Sequence, residues 1–418
     1  MKALKFNLLG GIILLSLSMM FTSCEGALDD VFGEWDKPAP STVTPTSVAV
    51  TGISIAPTTL ALKIGETGQL TATVAPDNAT DKTITWSSDN TTAATVDENG
   101  LVTAKAEGTA TITAAAKDGS DIKGTCTVTV SVPGLLAGKF SVSTTKQVRF
   151  SQGNLQAVFA SAGSDCTWQF ATNQWDFIGG TSDPADANAT TNNKINGNGT
   201  VSAAGTVDLF GWVGVSGALT SDPAKYGISN STTESDYGAN PNTDNLKSDW
   251  GTLAITNGGD APDYGWRTLT KDEWIYVLKT RESGNTISGT DNARFAKAKL
   301  FNTTHGLIIF PDNYTHPDGV ADPTGINKTD NTSWNANQYT TADWDKMATA
   351  GCVFLPAAGQ RVGASVTETD GAGRYWSSTH NNWDDSRVMN FHGTEVNPEG
   401  GIINRKTGCS VRLVQDVH

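Results

Sequence analysis

The residue types that most often carry enzymatic chemistry are present, but their spacing matches no catalytic motif. Histidine occurs five times, and no two histidines have the spacing of a zinc-hydrolase pair. The sequence has no Gly-Xaa-Ser-Xaa-Gly elbow and no Cys-Xaa-Xaa-Cys pair. Close carboxylates occur at Asp384 with Asp385 and at Asp343 with Asp345, but glycoside hydrolysis depends on their separation in space. The sequence therefore predicts that the chain is not an enzyme, and that it holds no catalytic metal.

A polar stretch near the C-terminus contains residue types that recognise ligands without catalysis. Its tryptophan, Trp383, is flanked by side chains with planar hydrogen-bonding groups. An indole ring can stack on a sugar or anchor a protein contact. The candidate ligand-binding residues are His380, Asn381, Asn382, Trp383, Asp384, Asp385, His392 and Glu395. The alternative is a solvated loop whose tryptophan folds back into the core.

The charge balance restricts the possible partners. The 418 residues include 29 Lys and Arg against 43 Asp and Glu, which gives a net charge of −14. Phosphate contacts need clustered basic residues, so this composition argues against nucleic acid and against an anionic membrane surface as partners. The length fits two domains, and 43 glycines with only 17% charged residues favour a loop-rich extracellular β protein.

The N-terminus has the pattern of a bacterial lipoprotein signal. Lys2 and Lys5 precede an apolar run, Leu8 to Phe21, that is too short for a transmembrane helix. The run ends in Phe-Thr-Ser-Cys, which resembles a lipobox, so residues 1–23 are predicted to be removed and Cys24 to be lipidated. An ordinary cleaved signal with a chance cysteine is the alternative.

The residues behind this cysteine predict where the protein resides. Glu25, Asp29 and Asp30 resemble the surface-export signal of Bacteroidetes lipoproteins. We therefore expect a lipid anchor in the outer membrane and exposure at the cell surface, with a periplasm-facing protein as the alternative. Residues 24–46 are acidic and then Pro/Thr-rich, which is typical of an extended tether.

Residues 47–132 have the pattern of a β-sandwich. Short β-branched stretches alternate with turn signals, and Asn99-Gly100 between two such stretches predicts a hairpin. The ordered segments Ile64-Gly65-Glu66, Thr85-Trp86-Ser87-Ser88 and Gly108-Thr109-Ala110-Thr111-Ile112 resemble the bacterial Ig-like group 2 domain. The resemblance implies an all-β spacer, in which Trp86 is a core residue rather than a sugar platform.

Two helices are predicted within residues 139–418. Thr270 and Glu273 form a capping box, followed by an apolar face at Trp274, Val277 and Leu278. A second helix is expected over about Ala342–Ala350, with Trp344, Met347 and Ala348 as its apolar face and Gly351 as its stop. Residues 181–262 are too polar to form a core of their own and are expected to be loop insertions.

The order of segments in this region also resembles a known family. Arg149-Phe150-Ser151-Gln152-Gly153-Asn154, Gly265-Trp266-Arg267-Thr268-Leu269, Tyr375-Trp376-Ser377-Ser378 and Cys409-Ser410-Val411-Arg412-Leu413 occur in the order of the Fibrobacter major paralogous domain. That resemblance implies an α+β, C-type-lectin-like domain, similar to formylglycine-generating enzymes, over residues 139–418. Its functional implication is limited because this fold serves many purposes.

The resemblance also bears on cofactors and cysteines. The close cysteine pair of formylglycine-generating enzymes is missing, which disfavours that activity. Trp383-Asp384-Asp385 is superficially similar to a lectin calcium strand but lacks its accompanying motif, so calcium is possible without being supported, and no cofactor is predicted. Cys352 and Cys409 should begin neighbouring core strands and form a possible disulfide, with buried free thiols as the alternative, and Cys126 is expected to be unpaired.

In this fold the Trp376 strand and the closing strand are core, and the segment between them is displayed. We therefore predict a cell-surface lipoprotein that presents a non-enzymatic adhesion domain for a carbohydrate or protein ligand, centred on Trp383. The alternatives are a structural envelope or fimbrial subunit and, third, a glycan-processing enzyme. Similar folds carry C-terminal segments that a retroelement diversifies, and the richness of residues 379–404 in Asn, Asp and His fits such a segment.

Overall fold

The computed structural model describes residues 46–179, 191–196, 199–213, 227–233, 237, 248–259, 265–330 and 332–417. The predicted signal peptide, the lipidation site Cys24 and nearly all of the tether lie outside these residues. Within the described ranges, no helix has the length and apolar character needed to cross a membrane.

The first β region consists of nine short strands. They are β1 (Gly52–Ala56), β2 (Thr59–Lys63), β3 (Thr67–Gln69), β4 (Thr71–Ala75), β5 (Ile84–Ser88), β6 (Ala94–Val96), β7 (Leu101–Ala104), β8 (Gly108–Ala116) and β9 (Lys123–Ser131). They pair as β1–β4, as β2–β9–β8–β5 and as β3–β7–β6.

Alternation of side chains along these strands builds one core. In β9, Gly124, Cys126, Val128 and Val130 are buried and the residues between them are more exposed, as expected for a strand with one face inside. Trp86 is half-buried and packs against this core. The predicted Ig-like, all-β organisation is confirmed, and the placement of Trp86 at the core agrees with the prediction.

The Asn99-Gly100 hairpin is also confirmed. Strands β6 and β7 pair antiparallel on either side of the turn, and the amide N–H of Gly100 donates to the Asp97 carbonyl. Gly100 has φ +81°, and a Cβ built on it would lie 2.7 Å from the Leu70 carbonyl oxygen and 2.9 Å from the Trp86 ring. Glycine is therefore required both by the backbone conformation and by the close approach of the core.

We expect Gly100→Ala to destabilise the Ig-like domain by about 1–3 kcal/mol more than Gly119→Ala, as measured by urea unfolding. Gly119 is a matched control because its φ is +86° and nothing lies within 4 Å of its built Cβ. Both substitutions carry the cost of a left-handed alanine, so the difference between them isolates the steric overlap. Equal losses would contradict the packing assigned to Gly100.

The second β region contains eighteen strands within its described residues. They are β10 (Phe140–Ser141), β11 (Gln147–Phe150), β12 (Leu155–Phe159), β13 (Cys166–Phe170), β14 (Gly205–Val207), β15 (Trp266–Thr268), β16 (Thr286–Ile287), β17 (Thr290–Asp291), β18 (Phe295–Leu300), β19 (Thr304–Ile309), β20 (Gln338–Tyr339), β21 (Val353–Pro356), β22 (Gln360–Val362), β23 (Ser365–Thr367), β24 (Ala372–His380), β25 (Asp385–His392), β26 (Glu395–Asn404) and β27 (Leu413–Asp416).

These strands form several small sheets rather than one. The sheet orders are β10–β11–β27–β15, β13–β12–β14, β20–β18–β19–β21 and β24–β25–β26, with two further hairpins, β16–β17 and β22–β23. The pairing of β11 with β27 brings the beginning and the end of this region together. Sheet β24–β25–β26 is antiparallel and carries the predicted recognition segment.

Both predicted helices are present. Helix α1 (Lys271–Ile275) starts at the complete Thr270 capping box and continues as a π-helical turn, Tyr276–Thr280. Helix α2 (Thr341–Thr349) has a second capping box, between Thr340 and Asp343. Trp274, Val277 and Leu278 are buried in the first case, and Trp344 and Met347 in the second. Gly351, at φ +95°, follows the end of α2 as predicted.

Apolar side chains from the described part of the polar region 181–262 are buried in the core of the domain. Its described part contains the short strand β14 and 3-10 turns, so the prediction of loops is confirmed there. Its isolated apolar residues pack with Trp376, Val388 and Leu413 in one cluster. The buried members from this region are Ile195, Val201, Val207, Phe210, Trp212, Val213, Ile228, Tyr237, Trp250, Leu253 and Ile255.

The possible disulfide between Cys352 and Cys409 is not formed. Cys126, Cys166, Cys352 and Cys409 are all free thiols, as expected for Cys126. Cys352 packs in a cluster with Trp344 and Met347, whereas Cys409 packs in the cluster that contains Trp376. The sequence placed the two residues on neighbouring strands, but β21 pairs with β19 and β27 pairs with β11 and β15.

Candidate functional site

The eight predicted ligand-binding residues divide between the two ends of sheet β24–β25–β26. His380 to Asp385 surround the turn between β24 and β25, whereas His392 and Glu395 flank the turn between β25 and β26. Seven residue steps of β25 separate Asp385 from His392, which is roughly 23 Å at about 3.3 Å per residue. The structure therefore separates the predicted residues into two surfaces rather than one site.

The first surface is the tip of the β24–β25 hairpin, residues 380–385, and Asn382 fixes its shape. The Asn382 side-chain oxygen accepts hydrogen bonds from the backbone N–H groups of Asp384 (2.9 Å) and Asp385 (2.8 Å). Its amide nitrogen donates to the Asp385 carboxylate (3.1 Å). This is the local side-chain-to-backbone bonding typical of asparagine in turns. Asn382 thus forms the turn, which leaves Trp383 and the exposed Asp384 at its outside.

Trp383 is held from beneath by Arg405, a residue that the sequence did not single out. The Arg405 guanidinium carbon lies 5.8 Å from the centre of the Trp383 ring, and its Nη1 donates to the Trp383 carbonyl oxygen (3.2 Å). The Arg405 backbone N–H donates to the Asp384 carbonyl (2.8 Å). Because Arg405 is fully buried, the ring face that contacts it points inward, and the half-buried Trp383 keeps its exposure on the other side.

Loops from the polar region support Arg405 in turn. Its guanidinium lies 5.5 Å from the Trp212 ring centre and also bonds the carbonyls of Trp212 and Tyr237. The Trp212 indole N–H donates to the Ser377 carbonyl (2.9 Å), which ties the same loop to β24. The tip of the hairpin is therefore connected to the hydrophobic core through the Arg405 guanidinium, which contacts the rings of both Trp383 and Trp212.

The second surface lies at the β25–β26 turn. His392 Nδ1 is 2.9 Å from the Thr394 hydroxyl, and its Nε2 is 3.5 Å from the Glu395 carboxylate. The buried Lys297 ammonium donates to the Gly393 carbonyl (2.8 Å) and lies 5.4 Å from the Trp334 ring centre. His392 and Glu395 therefore bond mainly within their own turn. The buried Lys297 attaches this turn to the rest of the domain.

Trp334 is the aromatic residue of this second surface. His305 stacks on it with ring centres 5.4 Å apart and an interplanar angle of 17°, and Phe391 contacts it edge-on. The Trp334 ring therefore has aromatic partners, His305 and Phe391, besides the Lys297 ammonium. Neither Trp334 nor Lys297 carries a local sequence signal, because the contacts join segments far apart in the chain.

Two open cavities lie away from both surfaces, near the C-terminal turn of α2. One of about 570 Å³ is lined by residues that include His316, Asp318, Asp345 and Lys346. The other, of about 460 Å³, shares Thr349 and Ala350 with it. None of the eight predicted residues lines either cavity. Glu395 lines a third cavity of about 350 Å³ together with Lys279 and Glu399.

Burial suppresses the reactivity of the thiols. It raises the pKa of Cys166 to about 11 and that of Cys409 to about 12, and it raises the pKa of Cys352 further. Thiols that stay protonated at neutral pH are poor nucleophiles. In the part of the chain that the structure describes, no group of three or more His, Cys, Asp or Glu side chains is placed to hold a metal ion.

Comparison with known families assigns the first β region. Residues 49–128 match the family described as the bacterial Ig-like domain (group 2). The segment that contains β1 to β9 is therefore a bacterial Ig-like domain, in agreement with the resemblance drawn from its sequence.

Individual relatives match short parts of the chain. An Ig-like virion protein of Serratia phage KSP90 is 44% identical over 111 residues, which is 26% of this chain and 40% of that protein. Lacto-N-biosidase of Bifidobacterium bifidum is 47% identical over 91 residues, 21% of this chain and 8% of the enzyme. An alpha-L-arabinofuranosidase of Bifidobacterium longum is 41% identical over 105 residues, 25% of this chain and 10% of the enzyme. The chain thus spans less than half the length of these relatives.

Among solved structures, domains 5–6 of the S-layer protein SbsC match 28% of this chain and 73% of that chain. The identity is 17% and the TM-score is 0.19. The relatives of this segment thus include a phage virion protein and two bifidobacterial enzymes.

Proposed function

We propose that this protein is a non-enzymatic binding or adhesion protein that captures a carbohydrate or protein ligand at the tip of the β24–β25 hairpin. One observation carries this proposal. Trp383 retains exposure on a turn whose backbone is fixed by Asn382 and Arg405. A rigid, half-exposed tryptophan loses little conformational entropy on binding, which is why such residues dominate recognition surfaces.

The location and anchoring of the protein belong to the same proposal. The lipobox-like sequence at Cys24 and the acidic residues after it favour a lipid anchor in the outer membrane with the domains outside. In this arrangement the tether and the Ig-like domain act as a spacer that carries the binding domain away from the membrane.

We also propose that the C-terminal region has a C-type-lectin-like fold. The helices α1 and α2 of its described part lie among small, mostly antiparallel sheets, which gives it α+β character. The pairing of β11 with β27 closes the region on itself, and the recognition segment lies in sequence between the core strands β24 and β27, as the resemblance implies. The expectation that this whole segment is displayed is wrong, because it contains four buried apolar residues, Val388, Met389, Phe391 and Val396.

The first test is the binding of the whole chain, carrying Cys24→Ala to prevent lipidation, to glycan and glycoprotein arrays with calcium or with chelator. For a ligand found in this way, Trp383→Ala should weaken binding by about 30-fold, the effect of losing a hot spot worth about 2 kcal/mol. Dissociation constants from titration measure the change.

Trp334→Ala is the matched control, since it removes a half-buried tryptophan that contacts Phe391 at the other end of β25. It should leave the dissociation constant unchanged within about twofold. A loss of binding in Trp334→Ala but not in Trp383→Ala would show that the ligand binds at the second surface, beside the β25–β26 turn. Absence of binding in a folded wild-type chain would favour a structural envelope or fimbrial subunit.

A further inference from the structure

We propose that Arg405 is the positioning residue of the recognition surface: this buried guanidinium sets the orientation of the Trp383 ring and of the turn that carries it. This inference rests on the proposed function and names a residue through which the same site acts.

Arg405 contacts both the ring and the backbone of the tip. Its guanidinium covers the inner face of Trp383, Nη1 bonds the Trp383 carbonyl, and its backbone N–H bonds the Asp384 carbonyl. The backbone orientation and the ring orientation of Trp383 are therefore fixed by the same residue. Asn382 shapes the turn from within, through hydrogen bonds with the Asp384 and Asp385 backbone N–H groups and with the Asp385 carboxylate.

Arg405 also couples the tip to a second element. The same guanidinium bonds the carbonyls of Trp212 and Tyr237, both in fully buried residues of the polar region. A lysine can supply one positive charge here, but not the planar fork that reaches several carbonyls while stacking on two rings. The geometry thus requires arginine rather than a generic cation.

The positioning role is tested with Arg405→Lys in the wild-type and Trp383→Ala backgrounds. We expect Arg405→Lys to weaken binding at least about tenfold while the chain stays folded, and to have no further effect when Trp383 is already alanine. Unchanged binding in a folded Arg405→Lys chain, with binding lost in Trp383→Ala, would overturn the role of Arg405 and leave the proposed function intact. Unchanged binding in Trp383→Ala would instead overturn the proposed function.

A measurement on the wild-type chain keeps the inference testable if Arg405→Lys fails to fold. With 5-fluorotryptophan incorporated and the resonance identified by Trp383→Phe, fluorine NMR should show Trp383 as a single resonance of restricted mobility. The sharp, averaged signal of a freely rotating surface ring would overturn the role of Arg405.

Discussion

Replacing Trp376 with alanine should lower the free energy of unfolding of the C-terminal region by about 3–5 kcal/mol, the range for removing a fully buried tryptophan. Trp376 has no exposed surface and packs in a cluster with Trp212, Trp250 and Leu413. Its indole N–H donates to the Phe210 carbonyl (2.5 Å). That carbonyl also accepts from the Cys409 N–H, so most of the loss comes from the cavity rather than from an unpaired oxygen.

Differential scanning calorimetry of the whole chain measures this effect. The Ig-like domain has its own core, which includes Val102, Ile112 and Val128, so its unfolding transition should keep its temperature while the other falls. Trp376→Phe serves as the control and should cost less, because it leaves a smaller cavity. Equal shifts of both transitions would contradict the assignment of Trp376 to a separate core.

The second large effect concerns pH and a buried carboxyl group. Asp208 is fully buried, and burial raises its pKa from 3.8 to about 6 despite hydrogen bonds from the Ile178 N–H (2.7 Å) and the Asn192 amide (2.7 Å). In the unfolded chain the group loses its proton near pH 4. Between about pH 4 and pH 6 the folded state therefore binds the extra proton, and the contribution of Asp208 to stability falls as pH rises.

A pKa difference of about two units corresponds to about 3 kcal/mol. Urea unfolding of the wild type and of Asp208→Asn from pH 3.5 to 7 measures this difference. As pH rises, the free energy of unfolding of the wild type should fall relative to that of Asp208→Asn. The substitution also removes one acceptor oxygen, which adds an offset that does not depend on pH.

Asp343→Asn is the control of opposite sign. The Asp343 carboxylate accepts hydrogen bonds from Thr340 at the start of α2, and these lower its pKa. Its contribution to stability should therefore be present at neutral pH and fall as the solution is acidified. A stability difference for Asp208→Asn that stays flat over this pH range would show that Asp208 is not a buried, titrating group.

Local signals predicted the helices and the Ig-like domain well. A capping box at Thr270 acts within four residues, and the apolar positions Trp274, Val277 and Leu278 follow directly from helical spacing. The Asn99-Gly100 turn is similarly local, because a left-handed glycine and the adjacent β-branched stretches are read from a few consecutive residues.

The cysteines and the recognition residues were not predictable in the same way. Whether Cys352 and Cys409 can meet depends on which strands pair, and strand order is set by contacts far apart in the chain. The eight ligand-binding candidates do not lie together on one surface, for a related reason. Because β25 is an extended strand, Asp385 and His392 lie at opposite ends of the sheet although only seven positions separate them in the sequence.

By itself, the sequence determined the Ig-like domain, the two helix starts and the presence of Trp383 in a polar C-terminal segment, since each follows from residue types over short distances. Only the tertiary structure decided that Trp383 rests on Arg405, and that Trp212 and Tyr237 support Arg405 from a polar region of low sequence signal. The reason is physical. The Arg405 guanidinium bonds the backbone carbonyls of Trp212, Tyr237 and Trp383, and because every residue carries a carbonyl, these partners leave no pattern in the sequence.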